Sequence, residues 1–375
     1  MKVKQLSLSS GNWLEELSQI DNSPSILLLF VSPLFSDKEN LVKELTSAYP
    51  EATMIGCSTS GEISGVNVKD DSVSLTAIEL EKVDHKLFTV EIEDMKHSFC
   101  AGGKLAEKLK NDDLKHVVVL SDGLNVHCGD LVAGFRNIMP NVSITGGLAG
   151  DGSDFNQTFV IANGEIKDKI IVGLGFYGEG LKVGFSSQGG WDSFGIDRLV
   201  TKSDKNVLYE LDGMPALELY KSYLGDNADK LPGSGLLFPL SMRVNDHDAP
   251  VVRTILGIDE ESQSLTFAGN LPEGSYVRLM KANVDRLIDG AKDSAKGAFS
   301  AIEENAQLAI LISCVGRRLV LKQLVEEEIE VVEEIVGENT SITGFYSYGE
   351  IAPFGEFSPC ELHNQTMTIT TISEC

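Results

Sequence analysis

The stretch SITGFYSYGEI at 341–351 decides the fold, because the chain contains two relatives of it. MIGCSTSGEI lies at 54–63 and SITGGLAGD at 143–151. Each copy carries an apolar run into a glycine loop. Upstream of each lies a second apolar run and then an amphipathic stretch. The first unit reads SILLLFVSP (25–33), then KENLVKELTSAYP, then the loop. The second reads HVVVLSDG (116–123), then GDLVAGFRNIMP, and the third LAILISCVGRR (308–318), then LVLKQLVEEEIEVVEEIVG. Unbroken β-branched runs of this length are strands buried on both faces, and the 3.6-residue periodicity between them is helical. This is βαβ logic, which brings the loops after both strands to one edge of a sheet.

The second and third units share a further string. FNQTFVIANGEI (155–166) follows one loop and HNQTMTITTI (363–372) follows the other, which supports duplication. Alternating SVSLTAIEL (72–80) and QTMTITTI (365–372) predict antiparallel strands beside the βαβ units. The expected fold class is therefore α/β to α+β, with two domains and mixed sheets built on repeated βαβ units. Between the second and third units the pattern changes to strands with glycine turns, and MPALELYKSYLG (214–225) reads as a helix with an early Pro and a terminal Gly. We place the domain boundary there, giving 1–218 and 219–375.

Length fits two domains. The 31 basic and 56 acidic residues leave a formal charge of −25, which repels phosphate backbones and excludes nucleic acid as the expected partner. The start lacks a secretory apolar segment, and the longest apolar run, ILLLFV at 26–31, is too short to span a bilayer. The expectation is a cytoplasmic protein without membrane insertion. Six scattered cysteines, without CxxC or metal-ligand spacing, read as reduced thiols.

Joined in order, IGCSTSGEI, TGGLAGD, YELDGMPALELYKSYLG, TILGID…LTFAGNLPEG, SCVGRRLVL, TGFYSYGEIAP and LHNQTMTI resemble the FIST proteins, a FIST N domain followed by a FIST C domain, over about residues 25–372. The resemblance implies a sensory module that binds a small ligand, such as an amino acid or related carboxylate metabolite. It also implies signalling in trans to a partner such as a histidine kinase or cyclic-di-nucleotide enzyme. A similar subset binds haem b and senses nitric oxide in two-component signalling. A ligand-free scaffold and a cysteine-dependent enzyme are the remaining alternatives, and no catalytic residues are expected.

The loops supply the candidate ligand contacts: Cys57, Ser58, Thr59 and Ser60 in the first, and Asp122, Gly146 and Gly147 in the second. Closely spaced glycines expose backbone N–H groups there. In the third unit, Arg317 precedes a helix whose later turns carry Glu326, Glu327, Glu328, Glu330, Glu333 and Glu334. That order opposes the helix dipole, so Arg317, which also matches the family pattern, is expected to hold a ligand carboxylate. The glutamates read as a solvated face. Tyr346 and Tyr348 are two apart and share a face if extended, and Glu350 either meets a ligand amine or bonds its own turn. Among the histidines, His127 in a strand-end loop and His363 are the candidate axial ligands should haem bind, while His85, His97, His116 and His247 read as surface residues.

Overall fold

In the computed structural model, which describes residues 1–375 apart from 12, 21–22, 246–249, 304 and 354–359, the three βαβ units become three six-stranded sheets of one plan. His247 lies outside the described residues. In the first sheet the parallel pair Ile26–Val31 and Thr53–Ser58 is flanked on one side by the antiparallel strands Ser72–Glu79 and Lys2–Ser9. The second sheet repeats this with Leu114–Ser121 beside Ser143–Leu148, then Ile170–Tyr177 and Asp84–Glu91. The third has Leu308–Cys314 beside Ser341–Ser347, then Met367–Glu374 and Leu181–Gln188.

The other edge of each sheet is completed by a short hairpin from a different unit. The first unit's Glu62–Ser64/Asn67–Lys69 hairpin pairs with the third unit's Ser341–Ser347. The second unit's Val160–Ala162/Glu165–Lys167 hairpin pairs with the first unit's Thr53–Ser58. The third unit's Glu350–Pro353/Cys360–His363 pairs with the second unit's Ser143–Leu148. Each unit thus lends a hairpin to a neighbour in a closed cycle, and the edge every sheet would otherwise expose is covered.

Side-chain alternation explains the unbroken apolar runs. Ile26, Leu28 and Phe30 join Val118, Leu120, Leu308, Ile310 and Ile312 in one central core shared by all three sheets. The intervening Leu27, Leu29 and Val31 face outward under helix Lys38–Ala48. Val117 and Val119 do the same under Cys128–Ile138, and Ala309 and Leu311 under Glu327–Val336. Period-two alternation between two hydrophobic environments leaves no polar position along the strand.

One glycine per unit makes the parallel pairing possible. A Cβ at Gly56 would lie 2.2 Å from the Leu29 carbonyl oxygen, at Gly146 1.8 Å from that of Val119, and at Gly344 1.9 Å from that of Leu311. These are the glycines of the repeated strings IGC, TGG and TGF.

The Asn-Gln-Thr strings, by contrast, are not equivalent. At the equivalent end of the first parallel strand, Ser32 N–H donates to Ser72 O in the first unit, Asp122 N–H to Ile170 O in the second and Cys314 N–H to Thr366 O in the third. Thr366 therefore corresponds to Ile170, not Thr158. Asn364–Thr366 follows its hairpin, whereas Asn156–Thr158 precedes one.

An insert interrupts the third unit between Leu181–Gln188 and helix Val284–Ser300. It is an eight-stranded antiparallel sheet from Asp192–Asp204 to Tyr276–Lys281, with helix Ala216–Leu224 and its own core around Leu208, Tyr220, Leu265 and Phe267. The division drawn at 218/219 falls within that helix.

Candidate functional site

The three strand-end loops converge, as their place in the repeat requires. Ser60 N–H donates to Tyr346 O (2.8 Å) and Tyr346 N–H to Gly61 O (2.9 Å), joining the first loop to the third. Gly150 N–H donates to Ser58 O (3.0 Å), joining second to first. Leu148 N–H donates to Gly349 O (2.9 Å), joining third to second.

Most loop side chains complete this lock. Cys57 is buried in the central core, where burial pushes its thiol well up. Ser58 Oγ accepts from Phe159 N–H (3.1 Å), Ser60 Oγ from Gly152 N–H (3.0 Å), and the Thr59 hydroxyl donates to Glu62. The Asp122 carboxylate accepts from Leu124, Asn125 and Lys169 N–H and from the Thr158 hydroxyl, and so shapes the loop after its strand. Gly146 and Gly147 are packing positions, the latter against Ile312. Glu350 is buried, accepting from the Ser347 hydroxyl (2.8 Å) and the Thr366 hydroxyl (3.0 Å), and burial raises its carboxyl to about 8. These groups meet one another rather than an open pocket.

Arg317 corrects the sequence expectation. It is fully buried, with Nε and Nη2 on the Glu328 carboxylate (3.1 and 2.7 Å), Nη2 also on Leu287 O (2.7 Å) and Nη1 on Gly189 O (2.5 Å). The dipole conflict that singled it out does not exist. The helical run breaks at Lys322 (φ 55), so Glu327, Glu328 and Glu330 occupy the first turn of a separate helix, Glu327–Val336, where they match its dipole. Glu328 accordingly leaves the solvated face and is buried. Its other oxygen accepts from Tyr346 OH (2.6 Å). Tyr346 and Tyr348 do not share one environment: Tyr348 turns the other way, donating to Asp151 and stacking on Phe155 with centroids 4.5 Å apart.

That second tyrosine marks where the molecule is hollow. A cavity of about 170 Å³ lies between the second unit's loops and the insert. Gly123, Leu124, Val126, His127, Cys128 and Leu148 form its core side, Phe155, Tyr348 and Leu362 a second wall, and Asn206, Leu256, Phe267 and Ala268 the insert side. Of the residues singled out from sequence, His127 and Tyr348 line it. His127 is the N-cap of helix Cys128–Ile138, its Nδ1 accepting from Asp130 N–H (3.2 Å). Burial lowers its pKa, so the ring is neutral near pH 7 with the proton on Nε2. The buried Nε2 and the buried Asn270 Oδ1 have no other hydrogen-bond partner, and the two side chains interact with each other.

Arg253, which the sequence reading passed over, stands behind the insert wall. Its guanidinium lies against Gly269, beside the lining Ala268. It donates to the carbonyls of Asn270 (3.2 Å), Val252 (3.2 Å) and Leu362 (3.1 Å) and forms no ion pair among the described residues. Burial lowers its pKa to about 10, so it stays charged. Its place in VVRTILG carries no local motif, and Phe155, Asn206 and Phe267 are equally unmarked, because the insert meets the core only in three dimensions.

The residues do not fit a haem. His127 reaches the cavity, but His363 is buried with Nε2 against Ala352 O (2.9 Å), and a tetrapyrrole needs a far larger slot than about 170 Å³. No group of three or more metal-ligating side chains occurs among the described residues. His116 is also a correction: it is fully buried between Ser143 and Thr145, its pKa lowered by burial to about 3. No helix among the described residues is long and apolar enough to cross a membrane.

The chain is 29% identical over 387 residues to the uncharacterized protein MJ1623 of Methanocaldococcus jannaschii, covering 90% of this chain and 71% of that one. Among solved structures, a cyanuric acid hydrolase from A. caulinodans aligns over 100% of this chain and 99% of its own, with 9% identity and a TM-score of 0.38, too low to carry any argument. Family models described as FIST N domain and FIST C domain match residues 25–214 and 216–353. FIST domains are sensory domains of signalling proteins, and this chain belongs to the FIST family.

Proposed function

We propose that this protein senses a small organic ligand bound in the cavity between the second unit and the insert, and signals in trans to a partner enzyme such as a histidine kinase or cyclic-di-nucleotide enzyme. The observation that carries the reading is the cavity of about 170 Å³ where the second unit's loops meet the insert, with the sequence-marked His127 and Tyr348 among its lining residues. The cavity is smaller than the ~300–1,000 Å³ of drug-sized sites, which favours a metabolite of a few carbons or one ring.

Its position suits signalling. The insert and the core meet through few polar contacts, including Trp191 Nε1 to Gln365 O (2.8 Å) and Arg253 to Leu362 O. A ligand touching both sides would shift the populations of insert positions, and a partner would read that shift. Binding rather than turnover is the reading for the thiols: burial pushes Cys57, Cys128 and Cys314 above the usual range, which holds them as weakly nucleophilic thiols.

The test is calorimetric titration of the full chain with amino acids, keto acids, aromatic acids and other metabolites, repeated on Leu124→Trp, which fills the cavity. At least one saturable ligand, lost in the variant, is expected. A silent panel, or a ligand indifferent to Leu124→Trp, would sink the reading.

A further inference from the structure

We propose that the second unit's loop 151–158 is the gate of the cavity, with Phe155 as its leaf and the Tyr348 hydroxyl as its latch. This rests on the cavity being the ligand site and adds how a ligand enters it. Of the described residues that line the cavity, Met95, Phe155 and Leu256 are exposed, at 46%, 48% and 48%, and the rest are buried or half-buried. These three residues therefore ring its mouth. Met95 belongs to a turn capped by the Asp94 side chain, and Leu256 to the insert strand Ile255–Asp259, so both are held by regular structure. Phe155 lies in no helix or strand.

The repeat shows that this loop is an addition. From parallel strand to exchanged hairpin, the first and third units run directly from Ser58 to Glu62 and from Ser347 to Glu350, whereas the second runs from Leu148 to Val160. The extra residues close around one carboxylate. Asp151 accepts from the N–H groups of Phe155 (3.0 Å), Asn156 (2.7 Å) and Gln157 (2.7 Å), and 153–157 form no other hydrogen bond among the described residues. Both ends are anchored, by Gly152 N–H on Ser60 Oγ (3.0 Å) and by the Thr158 hydroxyl on Asp122 (3.1 Å). Between them the Tyr348 side chain ties the loop to the body, its hydroxyl donating to Asp151 and its ring stacked on Phe155. Exposed backbone bonds and few buried contacts mark a segment that opens locally. Two backbone positions favour the motion. Gly152 (φ 78) has open space around it and turns freely. Phe155 sits at φ 50, a left-handed conformation that an aromatic residue rarely adopts. Loss of the Asp151 bonds lets Phe155 return to negative φ, which lifts its ring off Tyr348 and opens the mouth.

Cys128, buried in the cavity lining, reports the gate without any ligand. The full chain, with the exposed Cys100 and Cys375 replaced by Ser, is treated with methyl methanethiosulfonate. The Cys128 thiolate takes the methylthio group and releases methanesulfinate, and mass spectrometry follows each site. Cys57, in the central core shared by the three sheets, is the control for global opening. Asp151→Ala removes the hub of the loop, and Phe155→Gly removes the leaf while suiting its positive φ, which keeps a folded variant in hand. Each is expected to speed Cys128 labelling by about tenfold or more with Cys57 at its parent rate, because labelling follows the open population. Tyr348→Phe, which keeps the stack and loses the latch, should speed it by a smaller factor. An unchanged Cys128 rate in Asp151→Ala or Phe155→Gly, or equal acceleration of Cys57, overturns the gate. Either result leaves the cavity reading standing, since the metabolite titration and Leu124→Trp decide that separately.

Discussion

Replacing Glu328 by Gln isolates the most consequential correction, that Arg317 has an internal partner. Both side chains are fully inaccessible and their closest contact is 2.7 Å. The carboxylate also receives Tyr346 OH and Ser313 Oγ, so four hydrogen bonds from three side chains converge on it. Removing its charge leaves a buried guanidinium answered only by neutral oxygens, the Gly189 and Leu287 carbonyls and the substituted amide. Breaking one side of a buried pair costs about 3–5 kcal/mol, a large part of the ~5–15 kcal/mol that holds a typical domain. Replacing both partners by apolar residues, Arg317→Met with Glu328→Leu, removes the stranded charge and should recover more than half of the loss. Urea denaturation followed by far-ultraviolet circular dichroism reads both effects as shifts in midpoint. Glu328→Gln within about 1 kcal/mol of the parent protein would refute the reasoning. So would a double variant less stable than the single one.

Other expectations follow from the repeat, the buried acids and the aromatic wall. Gly56→Ala, Gly146→Ala and Gly344→Ala each drive a Cβ to within 2.2 Å of a strand carbonyl, so each should cost more than about 3 kcal/mol. Gly152→Ala, with φ 78 and open space around it, should cost about 1–2 kcal/mol by denaturant midpoint. Similar small effects at all four glycines would contradict the packing argument. Burial raises the Glu350 carboxyl to about 8, so the folded chain keeps a proton that the unfolded chain releases near 4.5. Its stabilising contribution is full below that lower value and fades as pH rises through 8. Between about pH 5.5 and 7.5, Glu350→Gln should flatten the fall in stability by up to about 1.4 kcal/mol per pH unit, and an unchanged slope would count against it. Tyr348→Phe should keep ligand affinity within about threefold, because the ring still stacks on Phe155, whereas Tyr348→Ala should lose it by tenfold or more in the same titration.

Which features the sequence displayed follows from which forces act locally. The parallel pairs were visible because strands between two hydrophobic layers carry no polar position, and Leu27–Val31 or Val117–Leu120 show this residue by residue. The exchanged hairpins were not, since strands of three residues such as Glu62–Ser64 and Val160–Ala162 are too short for a period-two signal. Asn-Gln-Thr misled as a repeat marker because identical strings occupy opposite sides of a hairpin. Arg317 misled because a non-glycine residue, Lys322, adopts positive φ and ends the helix where composition gives no stop signal. Tyr348 and His127 were found because loops after buried strands converge by topology. Arg253 and the insert wall were not, because their proximity to those loops is set by packing between segments far apart in sequence.

Hydrogen–deuterium exchange of the full chain, with and without a ligand found by titration, tests the central claim most directly. If the ligand lies between the second unit and the insert, protection should increase over 123–128 and 267–268, with little change around Arg317 and Tyr346, whose partners are already internal. Protection concentrated at 315–321 and 344–347, with 123–128 and 267–268 unaffected, would contradict the account and return the site to the third loop.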